Sequence, residues 1–125
     1  MTQKHNLQWV GSSRDDLKEF PNDVREEMGY ALYLAQCGDK SPDAKPMKGF
    51  SGAGVLEIAE NFNTDTYRAI YTVRFKGTVY VLHAFQKKSK SGIATPKKDI
   101  DRIHRRLKAA EEHHKAFHEK EKKNG

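Results

Sequence analysis

The chain has 125 residues, which suits one domain with a single core, and its 10% content of aromatic residues argues against intrinsic disorder. Its formal net charge of +6 favours polyanionic partners such as nucleic acid, although solubility alone would also account for it. The lone Cys37 excludes an internal disulfide and a thiolate metal cluster, and the absence of a long apolar run or a secretory signal predicts a cytoplasmic protein that does not enter a membrane.

The first third of the chain predicts one short strand and two helices. Leu7 and Trp9 fall on one side of the strand. Ser13, with a carboxylate three residues later, resembles a capping box that opens a short helix. Pro21 suits the first turn of a second helix, whose apolar stripe has helical spacing: Val24, Met28, Ala31, Leu32 and Ala35.

The middle of the chain predicts a long loop and then a sheet. Residues 39–54 contain prolines and glycines without a period, so they should form a loop, from which Lys45 and Lys48 project. Three strand-like runs follow, VLEIAENF, TYRAIYTVRF and TVYVLHAF, and the short turns between them predict an antiparallel meander.

The end of the chain predicts one amphipathic helix, with Thr95 as its cap and Pro96 at its first position. Residues 119–125 are almost entirely charged and should form a disordered tail. The predicted fold class is therefore α+β, with a small twisted antiparallel sheet, an N-terminal helical hairpin and a C-terminal helix in one domain over residues 1–118.

The last predicted strand changes from apolar to cationic. Strict alternation would place Lys87 on one face with Val79, Val81, His83 and Phe85, and Lys88 on the other face with Tyr80, Leu82, Ala84 and Gln86. Lys87, Lys88 and Lys90 follow the point where the strand leaves the core, and solvation alone would explain them.

Arg68 favours a functional interpretation of this cluster. It lies within an apolar and aromatic strand, where its guanidinium must either pair with a carboxylate such as Glu57 on the neighbouring strand or bind a phosphate. If the strands are adjacent, Arg68 and the end of the last strand converge on one concave surface with loop lysines at its rim. Such a surface would hold a nucleic-acid backbone.

His83 is the one histidine within the predicted sheet. An imidazole with a pKa near 6.5 would suit a general acid or a general base, whereas the apolar neighbours favour a hydrogen-bonded structural role. Both interpretations stay open at this point.

The order of these elements resembles the RelE/HigB-type toxins of bacterial and phage toxin–antitoxin pairs. The similarity covers about residues 5–112 and is strongest at TYRAIYTVRF and VLHAFQKKSK. It implies cleavage of mRNA on the 70S ribosome, neutralisation by a helix-turn-helix antitoxin, and no cofactor or metal. By position, Arg68 matches the strand arginine implicated in catalysis and Lys88 matches the second cation, with Lys87 directly beside it.

Two departures from the RelE pattern change the expected roles. Glu57 and Ala59 replace two strand lysines, and Ala94 replaces a tyrosine. Cleavage by the ribose 2′-hydroxyl needs a proton acceptor, a cation at the transition state and a proton donor. Arg68 suits the cation.

The remaining candidates supply protons or bind RNA. A lysine among other cations can have a lowered pKa, so Lys87 or Lys88 could serve as acid or base. The candidate RNA-binding residues are Lys45, Lys48, Glu57, Arg74 and Lys90.

Two other function classes remain open from the sequence. The same superfamily includes ParE-type toxins, which inhibit DNA gyrase without cutting RNA. A simple nucleic-acid-binding module would also explain the net charge.

Overall fold

A computed structural model describes residues 4–50, 52–87 and 95–124, and for residues 118–124 it describes the backbone alone. The elements in chain order are β1 (Asn6–Trp9), α1 (Ser13–Lys18), α2 (Asn22–Gln36), β2 (Ala44–Pro46), β3 (Val55–Phe62), β4 (Asp65–Thr72), β5 (Thr78–Lys87) and α3 (Lys97–Asn124). Within these residues the strands form a five-stranded sheet in the order β1-β5-β4-β3-β2. β1 runs parallel to β5, and the other neighbours are antiparallel. The predicted α+β fold and meander are confirmed.

The sheet buries apolar side chains on both faces. On one face, here called the α2 face, the stripe of α2 and Leu17 of α1 pack against side chains such as Tyr71 and Val81. On the other, the α3 face, Ile103 and Leu107 pack against side chains such as Ile70. Covering the sheet on both sides explains why β5 is apolar on both faces.

The start of α1 differs from the prediction. The cap position belongs to Ser12, whose hydroxyl donates to the Asp16 carboxylate at 2.7 Å. Ser13 is fully buried, and its hydroxyl donates to the carbonyl of Val81 at 3.1 Å. The predicted Ser13 cap is wrong because α1 packs directly on β5, which turns this side chain into the core.

The start of α3 is also shifted. The helix begins at Lys97, and the carbonyl of Pro96 accepts the amides of Asp99 and Ile100. Pro96 thus precedes the helix, and the hydroxyl of Thr95 faces the sheet instead of capping.

Two segments are more regular than predicted. Residues 44–46 of the expected loop form β2, an edge strand too short to give a periodic signal, with Pro46 at its end. At the other end of the chain, α3 continues to Asn124 where a disordered tail was expected. Residues 119–123 are all glutamate or lysine, and both types favour helix.

Strand β5 contains a β-bulge at Leu82. Tyr71 of β4 pairs with Val81, but the next residue, Ile70, pairs with His83. Leu82 is therefore an extra residue without a partner on β4. Beyond it, the strict alternation predicted for the strand is wrong.

The bulge moves the end of β5 to the opposite face. Phe85 stands directly opposite Arg68, so Phe85 and Lys87 share the α3 face with Arg68. The sequence had placed them with Val79 and Val81, which pack on the α2 face. The register thus gathers cations that simple alternation would separate.

Three carboxylates meet on the α2 face. Glu27 of α2, Asp43 before β2 and Glu60 of β3 each offer an oxygen, and these oxygens lie within 4.8 Å of one another. Burial, followed by hydrogen bonding to Asp43 and the charge of Glu27, raises the pKa of Glu60 to about 7. Glu60 therefore holds a proton in mildly acidic solution.

Glu60→Gln is expected to flatten the pH dependence of stability. Between a pKa of 4.5 in the unfolded chain and about 7 in the folded one, the folded state binds the extra proton, so the wild-type free energy of unfolding falls as pH rises through this interval. The glutamine side chain does not titrate, so Glu60→Gln removes this decrease in the free energy of unfolding, which is on the order of 1–2 kcal/mol for a partly solvated group. Urea unfolding from pH 5 to 8 measures it.

The exposed Glu26 of α2 provides a control, because Glu26→Gln changes the same charge outside the cluster. It should retain the wild-type slope. Equal slopes for wild type and Glu60→Gln would contradict the interpretation.

In the described parts of the chain, no helix has both the length and the apolar character needed to cross a membrane.

Candidate functional site

An open hollow of about 340 Å³ lies on the α3 face of the sheet. Its walls come from β3, β4, the loop after β2 and the start of α3. The lining residues are Met47, Lys48, Gly49, Glu57, Arg68, Thr95 and Ile100. Three of the residues chosen from the sequence, Lys48, Glu57 and Arg68, therefore share one cavity.

Arg68 and Glu57 form the predicted ion pair in the wall of this hollow. Ala59 stands opposite Arg68 in the β3–β4 register, so Glu57 is its diagonal neighbour on the same face. Nη1 of Arg68 donates to Oε2 of Glu57 at 2.8 Å and to the hydroxyl of Thr95 at 3.4 Å. The side chains are 17% and 20% exposed, so the pair is accessible rather than sealed.

The guanidinium of Arg68 is only partly used by these contacts. Its hydrogen bonds to described residues engage Nη1 alone. Nε is buried and has no partner there. Glu57 and Thr95 thus fix the plane of the guanidinium. Nη2 has no hydrogen bond to a described residue, so it can donate to an anion in the hollow.

Lys87 is buried on the same face as Arg68. It is 7% exposed and stands opposite Thr66 in the register after the bulge. Burial lowers the pKa of Lys87, and the nearby charge of Arg68 lowers it further, while the carboxylates of Glu57 and Asp99 act in the opposite direction. Its ammonium therefore releases a proton more readily than that of a solvated lysine.

His83 lies under α3 and does not line the hollow. Its ring is almost fully buried and stacks on Phe85 with centroids 4.7 Å apart. Burial, with the charges of Arg106 and Arg102, outweighs Asp99 and lowers the pKa of His83. A neutral imidazole would donate from Nε2 to Asp99 at 2.8 Å and accept at Nδ1 from Arg106 at 3.4 Å. This placement favours the structural interpretation of His83.

His83→Gln is expected to retain RNA cleavage within a few-fold while lowering stability by about 1–2 kcal/mol. The glutamine amide can still donate to Asp99, but it loses the stacking on Phe85 and the contact with Arg106. Cleavage rates and urea unfolding of the same preparation separate the two effects. A stable variant that has lost cleavage would contradict a purely structural role for His83.

The loop lysines take different positions. Lys48 lines the hollow. Lys45 is exposed on β2, opposite Glu57 in the β2–β3 register. Lys45 is therefore a neighbour of the hollow through Glu57 but is not among its lining residues.

The remaining predicted residues are not part of the hollow as described. Arg74 is exposed beyond the end of β4, with its guanidinium carbon 5.6 Å from the ring centre of Phe75. Lys88 and Lys90 lie outside the described residues.

Thr95 and Asp99 are site residues that the sequence interpretation missed. Thr95 contacts Arg68 and lines the hollow, and Asp99 is buried against His83 and acts on Lys87. Their signal is the short connection between the cationic end of β5 and the TPKKDI segment, which places the first turn of the last helix near the site.

Fold and site together define a small α+β protein with a cationic hollow on one face of its sheet. Residues 15–108 match the family described as phage derived protein Gp49-like (DUF891), and the chain belongs to this family. The recognition of a phage-derived RelE/HigB-type chain from its sequence is thereby confirmed.

Two solved structures are similar to this chain. One is a double mutant of the E. coli toxin RelE in the free state, with 17% identity and a TM-score of 0.49 over 72% of this chain and 86% of that one. The other is the toxin–antitoxin complex RelBE2 from Mycobacterium tuberculosis, with 17% identity and a TM-score of 0.46 over 71% of this chain and 98% of that one. No curated protein matches the sequence.

Proposed function

We propose that this protein is the toxin of a type II toxin–antitoxin system and acts as an endoribonuclease that cleaves mRNA to inhibit translation. The observation that carries the proposal is the pairing of Arg68 with Glu57 in the wall of an open hollow, with Lys87 buried on the same face of the sheet and close enough for both charges to act on its pKa. A cation, a carboxylate and a lysine with a lowered pKa are the three kinds of group that phosphodiester transfer needs.

The reaction would start at the 2′-hydroxyl of the RNA. Oε1 of Glu57 accepts the hydroxyl proton while Oε2 keeps its bond to Arg68. The 2′-oxygen then attacks the adjacent phosphorus, and the bond from phosphorus to the 5′-oxygen of the next nucleotide breaks. The products are a 2′,3′-cyclic phosphate and a 5′-hydroxyl, with Lys87 as the donor of the proton that the leaving oxygen takes up.

Arg68 would stabilise the charge that develops on the phosphorane-like transition state. Its guanidinium stays charged at any physiological pH, and Nη2 is the donor directed to a non-bridging oxygen. Thr95 and Glu57 orient the guanidinium before substrate arrives, so no reorganisation is needed during the reaction.

Two further parts of the proposal concern partners. Action on ribosome-bound message and neutralisation by a helix-turn-helix antitoxin follow from the resemblance to RelE/HigB-type toxins. Family membership supports both, and the net charge of +6 suits the polyanionic ribosome and its message.

The test is incubation of the purified protein with translating ribosomes, followed by mapping of the message ends. We expect cuts within the coding sequence that leave 5′-hydroxyl termini. A parallel assay measures DNA supercoiling by gyrase, which should be unaffected. Inhibition of gyrase with intact message would replace the nuclease proposal with the ParE-type alternative, and RNA binding without either effect would favour a simple binding module.

A further inference from the structure

Helix α3 contacts the bulge of β5 with two charged side chains. Nη1 of Arg106 donates to the carbonyl of Leu82, the extra residue, at 3.0 Å. Asp99 binds the ring of the next residue, His83, whose other nitrogen faces Arg106. Positions 99 and 106 are two helical turns apart and so lie on one side of α3. The helix thus binds the irregular point of the strand from two positions.

The turn between β1 and α1 holds Arg106 from the other side. Nη2 donates to the hydroxyl of Ser12 at 3.1 Å. The backbone of Gly11, with φ +58°, lies so close that an added Cβ would stand 2.8 Å from Nε of Arg106. Arg106 therefore links α3 to β5 and to the turn between β1 and α1, and its guanidinium has little room to move.

The bulge decides where the end of β5 points. With the bulge, Phe85 faces Arg68 and Lys87 faces Thr66. If the pairing of Tyr71 with Val81 continued without it, Lys87 would stand opposite Asp65 and its side chain would turn to the α2 face.

The sequence of β5 does not strongly oppose the second register. Apart from His83, the residues that the shift would move are apolar as far as Phe85, so most of the exchange would replace one apolar side chain by another. What distinguishes the bulged register is the set of polar contacts from α3. Without Arg106, the carbonyl of Leu82 would lose its partner, which disfavours the bulge.

We propose that Arg106 and Asp99 are positioning residues, which hold the bulge of β5 and thereby keep Lys87 on the face of Arg68. Neither residue lines the hollow; Arg106 contacts Leu82, and Asp99 contacts His83. That Arg106 and Asp99 hold the bulged register of β5 is argued from geometry alone. That this register affects RNA cleavage rests on the proposed function.

Disulfide trapping shows directly which pairing register β5 adopts with β4. In a Cys37→Ser background, the pair Thr66→Cys and Lys87→Cys places two thiols directly opposite each other in the bulged register. The pair Asp65→Cys and Lys87→Cys does so in the other. Arg106→Gln is expected to slow oxidation of the first pair several-fold and to accelerate that of the second.

The neighbouring Arg105 provides a matched control. It is exposed, and Arg105→Gln removes the same charge without removing a contact to β5 among the described residues. With Arg105→Gln, each cysteine pair should oxidise at the same rate as in the protein that retains both Arg105 and Arg106. If Arg106→Gln also leaves both rates unchanged, the proposal is overturned.

Gly11→Ala tests the same contact without removing a charge. The added methyl group would push the guanidinium of Arg106 from its place. Gly38→Ala introduces similar backbone strain, at φ +82°, with nothing within 4 Å of the new methyl group. We expect a change of trapping for Gly11→Ala alone; the same result for both variants would assign the effect to strain and reject the role of Arg106.

Cleavage provides the second readout, with wild-type Lys87 present. If Lys87 is the proton donor, wild-type cleavage should decline at alkaline pH as its ammonium loses its proton. Arg106→Gln should lower the cleavage rate and remove this decline. Arg106→Lys, which retains a donor for the carbonyl of Leu82, should restore both in part. A reduced rate with an unchanged pH profile would contradict positioning of Lys87. If the wild-type protein cuts no RNA while trapping behaves as expected, the proposed function fails and the register inference stands.

Discussion

Arg68→Ala is expected to reduce RNA cleavage by about 10²–10³-fold, the usual cost of removing one preorganised donor from a transition state. The methyl side chain leaves the hollow without its fixed cation, while the Glu57 carboxylate stays within reach of solvent. The fold should persist, with a loss of about 1 kcal/mol because the ion pair is partly solvated. Cleavage on translating ribosomes and thermal unfolding measure the two quantities.

Arg14→Ala is the control for Arg68→Ala. It removes an exposed guanidinium from α1, outside the hollow's lining. Its cleavage rate should remain within a few-fold of wild type. Normal cutting by Arg68→Ala would remove this arginine from the mechanism and, with it, the main support for the nuclease proposal.

Lys87→Gln should produce the second large loss, about 10²–10⁴-fold, if Lys87 protonates the leaving 5′-oxygen. Since burial and Arg68 lower the pKa of Lys87 below 10.5, wild-type cleavage should decline as pH rises through that lowered value. The glutamine variant should be slow at every pH and should lack this decline. A pH series of single-turnover cleavage rates provides the measurement.

Lys87→Arg separates proton donation from charge. Arginine retains the cation but does not release its proton, so a role as acid predicts a slow variant, whereas a purely electrostatic role predicts an active one. Lys76→Gln, in the turn between β4 and β5, is the control for the change in net charge. An alkaline decline that persists in Lys87→Gln would assign the titration to another group.

The parts of the fold with strong periodicity were predictable from the sequence. The stripe of α2 repeats at helical spacing, and its members Met28 and Leu32 are buried as expected. Arg68 within an apolar strand indicated its partner Glu57 correctly, since a guanidinium there needs a carboxylate or a phosphate.

The bulge could not be predicted in the same way. An apolar run that is buried on both faces has no polar side to fix its register, so nothing marks Leu82 as the extra residue. The position of Lys87 depends on this one irregularity. Thr95 and Asp99 were missed for a related reason, because their roles arise from how α3 packs on the sheet and not from local pattern.

The parallel pairing of β1 with β5 has a consequence for the order of synthesis. Asn6 leaves the ribosome early, but its partner Thr78 is added only after the three strands between them in the chain. A sheet closed by such distant segments forms slowly and late. The nascent chain can therefore complete its sheet only after β5 has been synthesised, and a product that ends before Thr95 would lack two of the residues that line the hollow, Thr95 and Ile100.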